Sequence, residues 1–273
     1  MYYQNRFDSH VHSDCSPDGR DSVICLAEQA VRRDFSGIAV TDCCDINSFY
    51  EMQYPRRIRE SIYSVYKARA AFENKLIISS GIELSQPLSD PVLSDGILEE
   101  HSFDVVLCSV KTFQDGISLR GMDFGQFTED ELREKLFGYY EYMLKTVKWG
   151  KYDVLSNIAY PIRYIYRSVH SDFPMQTMDD LIESILTELA ENGKSLEIST
   201  AELRGDLGMI LPQSRYIKRF RELGGTYVTI GSGAHSISSV GSDISEGMLS
   251  ASEAGFENFV FYKQRQPKLL RII

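Results

Sequence analysis

Residues 36–47 read SGIAVTDCCDIN. An apolar run that stops at Thr41-Asp42 and two adjacent cysteines has the character of a buried strand that delivers polar side chains to a rim. The same pattern recurs along the chain in NRFDSHVH, KLIISSGIEL, FDVVLCSVK, YDVLSNI, KSLEIST, TYVTIGSGAH and a final FENFVFY, each separated by room for a helix. Strands alternating with helical segments argue for βαβ units, hence a parallel sheet or barrel. The intervening helices are legible. SVICLAEQAVRRDF follows an Asp-Ser cap and spaces Val23, Ala27, Ala30 and Val31 for one face. TMDDLIESILTELAENGK places Leu181, Ile185 and Leu189 at i, i+4, i+8 before an Asn-Gly stop. The Pro/Gly/Asp-rich stretches SQPLSDPVLSDG and TFQDGISLRGMDFGQ read as long loops on one face. Without a low-complexity linker or internal repeat, the expectation is one domain over residues 1–273.

Composition narrows the partners. With 43% hydrophobic and 25% charged residues the chain has the make-up of a globular protein, and its formal net charge of −10 disfavours nucleic acid and anionic membranes. A small phosphorylated substrate stays compatible, since a site needs only local positive charge. No apolar run approaches the ~18 residues of a membrane span, and the N-terminal MYYQNRFDSHVH has no signal-peptide pattern. Five cysteines without C-x-x-C argue against a disulfide framework and for a reducing, cytoplasmic setting.

The chemistry lies where each run stops. His10 and His12 end the first, Asp42 and Cys43 the second, Glu83 the third, Lys111 the fourth, Asn157 the fifth, Glu197 the sixth and His235 the seventh. Ligands of parallel α/β proteins bind at the carboxyl ends of strands, which in barrels converge on one mouth. Three of the five histidines belong to these ends. His10-Val11-His12 on a strand puts both imidazoles on one face, because side chains alternate with period two. Two such histidines with a distant carboxylate, Glu83, suit Zn, Mn or Fe. Read alone, H-x-H also fits two half-exposed strand histidines.

HVHSDCSPDG closely resembles the first motif of the PHP (polymerase and histidinol phosphatase) family in its histidinol-phosphatase branch, and the resemblance continues in order through GIAVTD, GIEL, FDVVLCSVK, YDVLSNIAYPIRY, LEISTAELR and TIGSGAHSISSVG. It implies an α/β fold, a single-domain distorted (β/α)7 barrel of TIM-barrel type, with up to three metals in its mouth. The implied reaction is hydrolysis of a small phosphate monoester by a metal-bound hydroxide, with histidine biosynthesis as the setting. Cations would clamp the phosphoryl oxygens and lower the pKa of bound water.

Carried over position by position, the first metal would take His10, His12, Glu83 and an aspartate that is Gly233 here. The second would share Glu83 and add two histidines, replaced by Lys111 and Asn157. The third would use Asp18, a histidine that is Cys43, and His235. The metal set is therefore His10, His12, Asp18, Cys43, Glu83 and His235, and fewer divalent ions than three are expected. His10, His12, Glu83 and His235 are the catalytic candidates. Arg163 and Arg204 match basic substrate positions, Glu197 would face the substrate or orient a ligand, and Ser199 and Ala159 depart from the pattern. A protonated Lys111 cannot ligate, but its ammonium would stand where a cation is implied, paired with Glu83. Cys43 reads as a thiolate ligand beside Asp18 and His235, as a neutral buried thiol, or as a redox group; Cys44 points the other way and packs. Three functions stay open: a metal-dependent phosphoesterase, a degenerate barrel that binds a phosphorylated small molecule without cleaving it, and a hydrolase that uses Cys43 as nucleophile.

Overall fold

The structure, a computed structural model, describes residues 5–168 and 173–272. The first seven apolar runs become strands β1 (Phe7–Val11), β2 (Gly37–Asp45), β3 (Ile77–Ser85), β4 (Val105–Ser109), β5 (Val154–Leu155), β6 (Ser195–Ser199) and β7 (Val228–Gly231), hydrogen-bonded in that order. All neighbouring pairs are parallel. β1, β4, β6 and β7 are buried along their whole length, as expected of parallel strands covered on both faces. The chain after β7 returns to β1: Val11 bridges Ala234, the His12 N–H donates to the Ala234 carbonyl (2.8 Å), and the Ala234 N–H donates to that of His10 (3.3 Å). The result is a nearly closed (β/α)7 barrel.

Helices follow the sequence pattern where a cap and a face coincide. Val23–Arg32 starts at Ser22, whose hydroxyl accepts the Cys25 N–H, and buries Val23, Leu26, Ala27 and Ala30. Asp179–Glu191 buries Ile182, Ile185, Leu186 and Leu189 and stops at Asn192. The stretch 85–96, expected to be loop, is a correction. It holds a short 3-10 turn at Pro87–Ser89 and enters the helix Pro91–Glu100. The Asp90 carboxylate caps the Leu93 N–H (2.9 Å), and Pro91 occupies the first turn, where its missing N–H costs nothing. The other stretch, 112–126, is irregular apart from Phe124–Gln126.

The final run forms β8 (Asn258–Lys263), which pairs antiparallel with β9 (Gln266–Arg271) outside the barrel sheet. Ser79 donates to the Tyr262 carbonyl (2.9 Å), Ser195 meets the Tyr262 hydroxyl (2.8 Å), and Phe261 stacks on Phe7 at 4.7 Å. Phe7, Ser79 and Ser195 all lie early in their strands, so this hairpin covers the end opposite the mouth. No helix among the described residues is long and apolar enough to cross a membrane.

Two buried carboxylates brace the mouth. Asp8 accepts from the Ser232 hydroxyl (2.5 Å) and from the N–H groups of Ser232 (2.9 Å) and Gly241 (2.8 Å), which ties β1 to the loop after β7. Asp42 accepts from the Ser13 N–H (2.5 Å) and from the hydroxyls of Ser13 (2.7 Å) and Ser61 (2.5 Å). Burial pushes both carboxyl pKa values up against these donors.

Candidate active site

His10 and His12 are aimed by a local irregularity. The β1–β2 register shifts between Asp8 and Val11, the signature of a bulge, which re-aims side chains at the end of a strand. His10 Nε2 and His12 Nε2 then face each other at 3.0 Å, each 3.8 Å from Glu83 Oε2. On its far side His10 Nδ1 meets Glu197 Oε1 at 2.5 Å. That contact depends on Gly231, where a Cβ would lie 2.5 Å from His10 Cβ and 2.7 Å from Glu197 Oε1. Glu197 thus orients an imidazole from below; it does not line the mouth cavity. Burial lowers the His10 pKa, but Glu197 and Glu83 outweigh it and raise it to about 10. Burial and the neighbouring His10 charge push His12 down to about 3.

Glu83, only 1% exposed, is saturated with N–H donors. Lys111 Nζ donates to Oε2 at 2.6 Å, and Asn157 Nδ2 donates to Oε1 at 2.9 Å. The pair anticipated between Lys111 and Glu83 is present. Burial opposes the Glu83 charge, yet Lys111 first, then His10 and His12, hold its carboxyl well below the usual range. Burial likewise opposes the Lys111 charge, but Cys43, at the high pH where it ionises, and Glu83 outweigh it and hold the ammonium well above the usual lysine range. Asn157 reaches Glu83 from a left-handed backbone (φ 59°), which asparagine tolerates better than most residues.

A second group forms beside the first. Asp18 Oδ1 stands 3.8 Å from His12 Nδ1 and 3.5 Å from His235 Nδ1, and the His12 and His235 rings stack at 4.5 Å. His235 Nδ1 is buried and makes no hydrogen bond among the described residues. The ligand atoms of His10, His12 and Glu83, and those of His12, Asp18 and His235, each lie within 4.8 Å of one another. Donors at ~2.0–2.2 Å from one tetrahedral ion sit roughly 3.3–3.6 Å apart, close to the 3.0 and 3.8 Å separations of the first set and the 3.5 and 3.8 Å separations of the second, so both sets suit a divalent cation. In the second set His235 Nδ1 faces only Asp18, itself a member of the set, whereas in the first both Glu83 oxygens are already engaged by Lys111 and Asn157.

Cys43 stands outside both groups. It pairs in register with Glu83 on β3, and its Sγ lies 3.8 Å from Lys111 Nζ. Burial, opposed by Lys111, pushes the thiol up to about 12, so it stays protonated at neutral pH. Cys44 is fully buried.

These residues line a mouth cavity of 430 Å³. Its walls include Lys111, Arg163 and Arg204, as expected, and also Arg20, Arg120, Tyr160, Tyr164 and Glu202, which the sequence reading did not single out. Arg20 directly follows HVHSDCSPDG, a positional signal that was available; Arg120 lies in an irregular loop with no pattern around it. Arg163 Nε is 3.2 Å from Glu202 Oε1, and Tyr164 donates its hydroxyl to that of Tyr160 at 2.8 Å. Arg204 Nη2 is spent on the Ser232 carbonyl (2.7 Å), and Gly233 borders the same space.

Comparison with known proteins follows the same lines. The PHP domain family model matches residues 8–201. The "Probable histidinol-phosphatase" of Thermotoga maritima is 28% identical over 251 residues, 92% of this chain and 93% of the relative. The "Histidinol-phosphatase" of Lactococcus lactis subsp. lactis is 24% identical over 234 residues, 84% of each chain. Among solved structures, the L. lactis histidinol phosphate phosphatase, crystallised with Zn, L-histidinol and phosphate, superposes with a TM-score of 0.82 at 21% identity, covering 97% of this chain and 99% of that one.

Proposed function

We propose, from the premise that the chain belongs to the PHP domain family, that it is a histidinol-phosphatase-like phosphoesterase acting on a small phosphate monoester. The carrying observation is the coincidence of two divalent-cation donor groups with five cationic side chains, Arg20, Lys111, Arg120, Arg163 and Arg204, in one cavity of a chain whose net charge is −10. Similarity to relatives named histidinol-phosphatase over more than 80% of the chain supports the same reading.

His12, Asp18 and His235 would hold a divalent cation, with His10 and Glu83 offering a second place beside it. Such an ion supplies Lewis-acid polarisation of a phosphoryl oxygen. The chain's own groups account for the remainder. Glu197 fixes the His10 ring through Nδ1, so that Nε2 faces the cavity. Lys111 is a fixed point charge at the floor, and Arg163 offers its terminal nitrogens to phosphoryl oxygens, a geometry guanidinium matches in pairs. Because the Tyr160 hydroxyl accepts from Tyr164, its own proton is available to a leaving oxygen in the cavity.

One observation favours a second reading, a barrel that binds a phosphorylated small molecule without cleaving it. Lys111 and Asn157 already satisfy both Glu83 oxygens and so compete with a cation there. Metal analysis of the purified protein, with phosphate release from histidinol phosphate and related esters after Zn or Mn reconstitution, separates the two. Release with stoichiometric metal supports the phosphoesterase. Thermal stabilisation without release, about 2.7 kcal/mol at a ligand concentration 100-fold above Kd, supports binding alone.

A further inference from the structure

We infer that the ester held in this cavity carries a second anionic group besides its phosphate, an inference that rests on the phosphoesterase reading above. It follows from which charges in the mouth are already committed. Three carboxylates line the cavity, Asp18, Glu83 and Glu202. Asp18 takes the Ser16 hydroxyl at 2.6 Å and faces His235 at 3.5 Å. Glu83 is held by Lys111 and Asn157. Glu202 lies between Arg163 and Arg167, 3.2 Å from each. A substrate ammonium entering the mouth therefore meets no uncommitted carboxylate among the described residues of the cavity wall; the unpartnered Glu197 Oε2 is buried beneath it.

The cations are committed differently. The Arg20 and Arg120 guanidinium groups make no hydrogen bond or ion pair with the described residues, although both border the cavity. They come from opposite sides. Arg20 lies in the loop after β1, where its N–H donates to the His235 carbonyl (3.0 Å) beside the His12–Asp18–His235 group, and Arg120 lies in the segment after β4. β1 and β4 are three places apart in the seven-strand order, so the mouth separates the two arginines. A phosphate on the β1–β7 side, against Arg20, the donor group and the Arg163 nitrogens that Glu202 leaves free, leaves Arg120 facing the rest of the molecule. A carboxylate or second phosphate satisfies Arg120 through bidentate hydrogen bonds, whereas an ammonium is set against like charge. A cation bound at the donor group adds to the same bias.

The test compares phosphate monoesters matched in size, phosphoglycolate (carboxylate), ethyl phosphate (neutral) and phosphoethanolamine (ammonium), together with histidinol phosphate, on the Zn-reconstituted full chain. The expected result is a kcat/KM at least tenfold higher for the carboxylate ester than for the ammonium ester, with Arg120→Gln lowering the carboxylate-to-neutral ratio severalfold. Equal or better turnover of the ammonium ester or histidinol phosphate overturns the inference. If no ester is hydrolysed, calorimetric titration of the same compounds reads the charge preference directly. Tenfold tighter binding of the carboxylate ester then retains the inference while the phosphoesterase reading falls, and equal binding removes it.

Discussion

Replacing Lys111 with methionine keeps most of the side-chain volume and deletes the charge. In metal-free protein this leaves Glu83, 1% exposed, with one of its two strong donors gone, while the departing Lys111 side chain was itself only 20% exposed. Removing one partner of a buried pair costs ~3–5 kcal/mol, because the remaining charge is left uncompensated. The lower end applies here, since Asn157 still donates to Oε1 and His10 Nε2 stands 3.8 Å from Oε2. A loss of ~3 kcal/mol in a chain of this size lowers Tm by roughly 6–12 °C. Urea unfolding of chelator-treated protein, followed by circular dichroism, measures it. Two companions sharpen the assay. Glu83→Gln on top of Lys111→Met recovers much of the loss, because no buried charge is then unpaired. Adding Zn to Lys111→Met raises bound metal above the wild-type value, because Glu83 Oε2 is released to the His10–His12 group. A Lys111→Met cost below ~1 kcal/mol, the value of an exposed ion pair, would refute the reasoning.

Gly231→Ala drives a methyl to 2.5 Å from His10 Cβ and 2.7 Å from Glu197 Oε1. It is expected to cost about 1–3 kcal/mol by overpacking and to weaken Zn affinity, both measurable by denaturation and calorimetric titration. Gly233→Asp meets only Ala201 Cβ, at 3.4 Å, but its φ of 56° strains any side chain, aspartate less than most; stability should fall by about 1–2 kcal/mol while Zn binds more tightly by the same titration. With its thiol pushed up to about 12, Cys43 should react slowly with a disulfide reagent at neutral pH, while exposed Cys25 reacts first, as peptide mapping of the labelled chain reads out.

The barrel was legible because each strand is announced twice, by an apolar run and by the polar residue that ends it. β1 and β4 through β7 fall inside runs identified from sequence, β2 and β3 overrun theirs to Asp45 and Ser85, and His10, His12, Glu83 and His235 do share one cavity. What escaped was set by contacts distant in sequence. Asp8 looks like an ordinary strand residue, and Asp42, singled out as a strand-end group, turns out to brace the fold; only the tertiary structure brings Ser232, Gly241 and Ser61 to them as donors. Arg120 enters the mouth through irregular backbone and Glu202 through the short 3-10 turn Ala201–Leu203, neither of which any periodicity encodes. The helix Pro91–Glu100 failed for a different reason: Asp90 and Pro91 carry a proper start signal, but the density of Pro, Gly and Asp around them was read as loop.

The departures at Lys111 and Asn157 are best understood as one change. Both side chains act on the same carboxylate, one on each oxygen, and neither alone would satisfy it. Histidine at position 111 only would leave Asn157 donating to a Glu83 oxygen that a cation needs. Histidine at position 157 only would leave the Lys111 ammonium 2.6 Å from the other oxygen, repelling an incoming ion. Restoring a cation beside Glu83 therefore requires Lys111→His and Asn157→His together, and the double variant should gain more metal affinity than the two single variants summed. Additive effects, read as Zn dissociation constants for the four proteins of the cycle, would mean that the two positions act on Glu83 independently and that the lysine is no substitute for an ion.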